Sequence, residues 1–173
     1  MSSYSVDVMP PWERPIRIPE DVCIEHADPP FAIAGERSTW RIPFRIKEDV
    51  PEGMLLKFQI YGKRNNPWSF HTPQVENPAG EGYVSMHTEK GEAIPLRPDR
   101  KEGTLMFNAP AAGLKKESVL TAVLGDTAGG GSGITAGSVR GLNKFFVIYR
   151  ADDEGYLPSW WTDDNRDRII GAC

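Results

Sequence analysis

Residues 39–47 read Thr-Trp-Arg-Ile-Pro-Phe-Arg-Ile-Lys, and this stretch decides the fold class. Its large apolar side chains recur at every second position: Trp40, Ile42, Phe44 and Ile46. Because successive side chains of a strand point to opposite faces, the alternation predicts a half-buried antiparallel strand with one wet face. Pro43 has no N–H to donate, so we expect it at a sheet edge or with that side of the strand unpaired.

Similar short stretches follow along the chain, separated by turn residues. Residues 119–124 are apolar on both faces, which predicts a strand in the middle of a sheet. The other predicted strands lie at 22–24, 31–34, 54–61, 83–87, 104–107 and 144–150. The pattern predicts an all-β fold, a two-sheet antiparallel immunoglobulin-like sandwich. We expect an extended arm over residues 1–20, the sandwich over 21–150 and an irregular tail over 151–173.

Composition agrees with one β-rich domain and limits the partners. The 173 residues include 17 glycines and 15 prolines, which break helices, and 39% are hydrophobic, enough for one core. A net charge of −4 offers no attraction to nucleic acid or to an anionic membrane. No apolar run reaches the roughly 18 residues of a spanning helix. The first residues also lack a basic stretch followed by an apolar one, so we expect a cytoplasmic protein.

The two cysteines, Cys23 and Cys173, are too few for a disulfide scaffold. Two free thiols in a reducing compartment, or one bridge between the tail and the first strand, both fit the sequence. The chain stops on Ile-Ile-Gly-Ala-Cys, which suggests a docking tail or a piece of a longer polypeptide.

The most distinctive segment is the glycine loop, residues 125–133, which reads Gly-Asp-Thr-Ala-Gly-Gly-Gly-Ser-Gly. It lacks the lysine of a phosphate-binding loop, since Gly131 stands in that position. Only about ten residues separate it from the next strand, too few for the crossover of a dinucleotide-binding fold. Two interpretations stay open: a structural loop with close backbone approach, or a loop that faces a ligand or partner. The facing residues would be Asp126, Thr127, Gly129, Gly130, Gly131 and Ser132.

Two further segments are candidate contact surfaces. The long loop over 62–81 carries Trp68, Phe70 and His71, which would line a pocket or cover a partner, or fold over the end of the sandwich. The tail carries Trp160, Trp161, Ile169 and Ile170, which we expect to dock on the domain or on a partner.

We predict no catalytic residue and no metal ligand in this chain. Its three histidines do not lie at ligand spacing. His87 falls on a strand face with Tyr83 and Ser85, where an exposed polar position is expected. Serine, histidine and aspartate sets can be assembled, but no motif such as Gly-x-Ser-x-Gly supports one.

The segment 119–137 resembles the end of the amino-terminal β-sandwich in a mostly bacterial family of large proteins. The similarity rests on Gly125, Asp126, Thr127, Gly129, Gly130, Gly133 and Ala136, with support from the strand at 39–44. In that family the sandwich precedes a metal-dependent hydrolase domain of the polymerase-and-histidinol-phosphatase (PHP) type. The resemblance implies that the metal ligands belong to the hydrolase domain, whose clustered histidines and aspartates have no counterpart here.

The first expectation for function is therefore a non-catalytic module or small subunit. It would pack on a larger hydrolase-like chain or domain, which would carry any divalent metal, and help to shape its active site. The alternative is a free-standing carbohydrate-binding sandwich that stacks sugar rings on Trp68, Phe70, Tyr156 and Trp160. A third hypothesis is a small self-sufficient hydrolase that uses Asp126 and a histidine.

Overall fold

A computed structural model describes residues 25–61, 72–99, 104–137, 145–151 and 169–173. Within these ranges the chain forms ten strands and no helix, which confirms the all-β fold class. The strands are β1 (Arg37–Ser38), β2 (Trp40–Arg45), β3 (Leu55–Tyr61), β4 (Val84–Thr88), β5 (Arg97–Pro98), β6 (Thr104–Asn108), β7 (Val119–Leu124), β8 (Ile134–Thr135), β9 (Phe145–Arg150) and β10 (Ile169–Ala172).

The strands form two larger sheets and one two-stranded ribbon. One sheet has five strands in the order β10-β9-β3-β6-β5, the second has three in the order β2-β7-β4, and β1 pairs with β8. All of these pairs are antiparallel. The prediction of a central position for 119–124 is confirmed, because β7 lies between β2 and β4. Pro43 lies on the edge strand β2, where it interrupts no central ladder.

The two larger sheets share one hydrophobic core. Side chains from both sheets contribute to it, and the rings of Phe44 on β2 and Phe58 on β3 meet edge to face with centroids 5.6 Å apart. The predicted inward face is confirmed, because Trp40, Ile42, Phe44 and Ile46 are all buried. Burying side chains of this size stabilises the fold by about 1.5–3 kcal/mol each. The immunoglobulin-like detail stays a prediction.

The predicted strand at 31–34 is wrong. These four residues make no strand, and all of them are exposed. They end in a turn in which the N–H of Glu36 donates to the carbonyl of Ile33, and Gly35 adopts a φ of +78°.

The end of the predicted irregular tail is regular. Residues 169–172 form β10, which pairs with β9 across a bulge between Ile169 and Gly171. The carbonyl of Ile170 in β10 also accepts a hydrogen bond from the N–H of Lys47, which follows β2 of the other sheet, at 2.9 Å. The arm at 1–20 and the predicted strand at 22–24 lie outside the described residues.

In the part of the chain that the structure covers, no helix has the length and hydropathy needed to cross a membrane.

Candidate functional site

The glycine loop connects β7 to the short strand β8, and its ends are fixed by close backbone contacts. Gly125 has a φ of +72°, and a Cβ there would lie 2.5 Å from the backbone nitrogen of Ile134. Gly133 has a φ of +86°, and a Cβ there would lie 2.7 Å from the carbonyl oxygen of Ser38. Side chains do not fit at such distances, so these two glycines are required by the packing. This favours the structural interpretation for the ends of the loop.

The middle of the loop packs on one side and is open on the other. A Cβ at Gly129 would lie 2.6 Å from the Cβ of Pro78, so the segment before β4 supports the loop from below. Gly130, in contrast, has nothing within 4 Å of a built Cβ. Five residues are exposed on this side: Thr127, Ala128, Gly129, Gly130 and Ser132. The loop therefore presents a backbone-rich surface on a fixed support.

Asp126 is the loop residue that connects to a neighbouring strand. Its backbone N–H donates to the carbonyl of Tyr83 at 2.8 Å, which holds the start of the loop against β4. Its Oδ1 accepts the N–H of Ala128 at 2.9 Å, in the manner of an Asx turn. Its Oδ2 accepts a hydrogen bond from the hydroxyl of Ser85. Both carboxylate oxygens thus have defined partners.

Ser85 also contacts an imidazole. The Nε2 of His87 lies 2.9 Å from Ser85 Oγ, and all three side chains are half-buried on the outer face of the three-stranded sheet, the face away from the core. A hydroxyl has one proton to donate, and here it points to Asp126, so His87 Nε2 acts as the donor to Ser85 Oγ. His87 thus donates to Ser85, and Ser85 donates to Asp126. In a Ser-His-Asp triad, by contrast, the imidazole accepts the serine proton.

A second hydroxyl–carboxylate pair lies nearby and differs in charge balance. The hydroxyl of Thr135 donates to Glu81 Oε1 at 2.6 Å, but Glu81 is also paired with the guanidinium of Arg37 at 2.9 Å. Among the described residues Asp126 has no cationic partner. A cation beside a carboxylate favours its charged form and reduces its tendency to take a proton. The two pairs therefore differ in the charge that lies next to the carboxylate.

A third polar cluster lies on the outer face of the five-stranded sheet, and it is buried. The ammonium of Lys57 contacts Asp99 at 2.7 Å, with side-chain exposures of 2% and 9%. The hydroxyl of Tyr149 donates to Gln59 at 3.2 Å. The hydroxyl of Thr104, also buried, has no hydrogen-bond partner among the described residues. Solvent does not reach this cluster, so we do not take it as the site.

An exposed apolar turn, residues 31–34, precedes the β1–β8 ribbon and lies at the end of that ribbon away from the glycine loop. Phe31 and Ile33 are 66% and 53% exposed, and they are the exposed large hydrophobic side chains of the described residues. The turn is held in place, because the indole of Trp40 donates to the carbonyl of Phe31 at 3.0 Å. The N–H of Gly35 donates to the carbonyl of Ala136, the residue just after β8.

The other predicted contact residues fall into two groups. Ile169 and Ile170, predicted to dock on the domain or on a partner, dock on the domain: they are fully buried in β10, which completes the edge of this chain's own sheet. The remaining ones lie outside the described residues: Trp68, Phe70, His71, Tyr156, Trp160 and Trp161. The carbohydrate-binding alternative depends on these aromatics and stays a prediction.

Sequence reasoning missed the roles of Ser85 and His87. The alternation along 83–87 placed them on one face of a strand, but the contact of Ser85 with Asp126 depends on the pairing of β4 with β7. The expectation that His87 is exposed was wrong, since the side chain is half-buried with its Nε2 against Ser85 Oγ. Within the described ranges, no three histidine, cysteine or acidic side chains lie close enough together to hold a metal ion.

No protein-family model matches this chain, and no curated protein or solved structure matches it either. The family resemblance drawn from residues 119–137 therefore stays a prediction.

Proposed function

We propose that this chain is a β-sandwich module or small subunit that packs on a larger hydrolase-like chain or domain and helps to shape its active site. The observation that carries the proposal is the exposed apolar turn, which continues into β1 and so into the ribbon that β1 forms with β8, the strand after the glycine loop. Adjacent exposed apolar side chains that a fold holds rigidly are typical of interaction surfaces. The hydrolase-like character of the partner is supported by the family resemblance alone.

The contact surface consists of the apolar turn, residues 31–34, and the outer side of the glycine loop, residues 127–132. Phe31 and Ile33 would enter apolar pockets of the partner, while the exposed backbone of Thr127 to Gly130 would allow close approach. Both parts have fixed backbones, so little ordering is needed on binding. In this proposal the partner carries the divalent metal, and the module alone has no turnover.

We also place this function in the cytoplasm. Cys173 is a free thiol and is buried, as expected for a protein from a reducing compartment.

Site-specific cross-linking tests the proposal. A photoreactive benzophenone amino acid is placed at position 31 in the source cells, and the cross-linked product is identified by mass spectrometry. We expect a cross-link to a larger chain, or to a further domain of the same polypeptide, that carries a histidine- and aspartate-rich metal site. The intact mass of the native protein distinguishes the subunit from the module. The same group placed at the exposed Lys90, in a different turn, is the matched control.

Binding affinity then tests whether the apolar turn contributes to the contact with the partner. The double variant Phe31→Ser, Ile33→Ser should weaken binding to the identified partner by at least about tenfold. The exposed positions predict a change in unfolding free energy within about 0.5 kcal/mol. The variant Lys90→Ser should bind as the wild type does. A native protein that is a free monomer, without cross-links from position 31, would contradict the proposal.

A further inference from the structure

The pair Ser85 and Asp126 has the geometry of a nucleophile and its base. Covalent catalysis by serine requires a hydroxyl within hydrogen-bond reach of a base, and a third group that orients the base. Ser85 donates to Asp126 Oδ2, and the N–H of Ala128 holds Asp126 Oδ1 at 2.9 Å. All three requirements are met by residues of one loop and one strand.

The surroundings of the pair favour reaction over a purely structural contact. Asp126 has no cationic partner among the described residues, and its Oδ2 accepts the Ser85 hydroxyl, so the proton of that hydroxyl already points at the carboxylate. Ser85 and Asp126 are half-buried, which leaves them accessible to a small electrophile. His87 Nε2, at 2.9 Å from Ser85 Oγ, is placed to donate to an oxygen of the group that Ser85 attacks.

We propose that Ser85 is a nucleophile, activated by Asp126, that accepts an acyl group from a carboxylic ester. Ser85 Oγ forms a bond to the carbonyl carbon while its proton passes to Asp126 Oδ2. The carbon–oxygen bond of the ester then breaks, and the leaving alcohol takes that proton back from Asp126. The products are an acyl-serine and a free alcohol. This step goes beyond the docking proposal and does not depend on the partner.

The pair Thr135 and Glu81 supplies an internal control. It is also a hydroxyl donating to a carboxylate, at 2.6 Å, but Arg37 neutralises that carboxylate. Under the proposal it does not react, although its hydrogen bond is equally good. The two pairs differ in the charge partner of the base and in the hydroxyl residue.

Covalent labelling of the full 173-residue chain tests the inference. The folded protein is treated with a small alkyl fluorophosphonate, and the adduct is located by peptide mass spectrometry. Ser85 Oγ bonds to phosphorus, fluoride leaves, and the proton moves to Asp126. We expect one adduct per chain, at Ser85, with none at Thr135. Acyl transfer from a p-nitrophenyl ester, followed by release of one equivalent of nitrophenol, should label the same residue.

Variants distinguish the loss of the general base from a loss of the folded structure. Ser85→Ala should abolish the adduct, and Asp126→Asn should slow labelling by about a hundredfold, as expected for loss of a general base. Asparagine keeps an oxygen for the N–H of Ala128, and Asp126→Ser is a second variant that can preserve the same turn. Glu81→Gln should leave the labelling rate unchanged.

Absence of an adduct at Ser85 in the folded wild-type chain overturns the inference. So does equal labelling of Ser85 and Thr135, or an unchanged rate in a folded Asp126 variant. Labelling of Ser85 without any partner cross-link from position 31 would support this inference and contradict the docking proposal. A partner cross-link from position 31 without labelling of Ser85 would support the docking proposal and contradict this inference.

Discussion

The two larger sheets carry polar side chains on their outer faces, but the two faces have different surroundings. On the five-stranded sheet, Lys57 and Asp99 are withdrawn from water as an ion pair. On the three-stranded sheet, Ser85, His87 and Asp126 are half-buried and linked by hydrogen bonds. Buried charges cost free energy unless they are paired, whereas half-exposed groups keep contact with solvent. The first cluster therefore affects stability most, and the second is the one accessible to chemistry.

The largest expected effect follows from breaking the buried ion pair. Asp99→Ala leaves the ammonium of Lys57 buried without this carboxylate, so the unfolding free energy should fall by about 3–5 kcal/mol. Urea denaturation of the folded chain measures the change. Asp49→Ala is the matched control, because Asp49 and Lys115 form an exposed pair at 3.5 Å that contributes little.

Removing both charges refines this test. The double variant Lys57→Met, Asp99→Leu should recover much of the lost stability, because both buried charges are then removed together. Equal small losses of unfolding free energy in Asp99→Ala and Asp49→Ala would show that water reaches the Lys57–Asp99 pair and would contradict its burial.

The next effect concerns the loop that positions Asp126. In Gly125→Ala the new Cβ meets the backbone of Ile134, and the residue must keep a positive φ. We expect a loss of about 2–4 kcal/mol in unfolding free energy, and slower labelling of Ser85 because Asp126 is displaced. Gly130→Ala, with a φ of +88° but open space, should show only the backbone strain of about 1–2 kcal/mol. Equal losses at the two glycines would argue against the close backbone contact.

A smaller change in stability is expected at the half-exposed cluster itself. Asp126→Asn removes the acceptor for the Ser85 hydroxyl but keeps one for Ala128. The unfolding free energy should fall by about 1 kcal/mol, as for one hydrogen bond in contact with water. Thermal and urea unfolding measure it alongside Asp99→Ala. A loss as large as that of Asp99→Ala would mean that the cluster is mainly structural.

The smallest effect at neutral pH concerns the terminal thiol. Burial, with a further contribution from the Glu25 carboxylate, raises the pKa of Cys173 from 9.0 to about 12. The fold favours the neutral thiol, so its contribution to stability is complete below pH 9 and is lost as the pH rises towards 12. In a Cys23→Ser background, Cys173 should react with a disulfide reagent at pH 8 at least about tenfold more slowly than in denaturant. Equal rates of reaction with the reagent in the folded and unfolded chains would contradict the burial of the Cys173 thiol.

Much of the sandwich follows from local patterns. The alternation of Trp40, Ile42, Phe44 and Ile46 predicted a strand and its buried face, and the doubly apolar residues 119–124 predicted a central strand. These inferences hold because the period of a strand and the need to bury apolar surface act over a few residues. The same reasoning failed at 31–34, where four alternating residues had no partner.

The elements that were missed depend on distant partners. β10 is only four residues long and contains a glycine, yet it pairs with β9 and is fully buried. β1 and β8 have two residues each and are defined by each other. Such short segments carry too little periodicity to predict a strand, because their hydrogen bonds come from residues far along the chain.

The sequence by itself determined the all-β class, the main strands and the unusual glycine loop, since these depend on side-chain period and on backbone freedom. Only the tertiary structure decided what the loop does. The register of β4 against β7 brings Asp126 to Ser85 and His87, although 41 residues separate the serine from the aspartate. That distance in the chain is why no local motif could show the cluster: hydrogen bonds between side chains require a geometry that only the folded sheets supply.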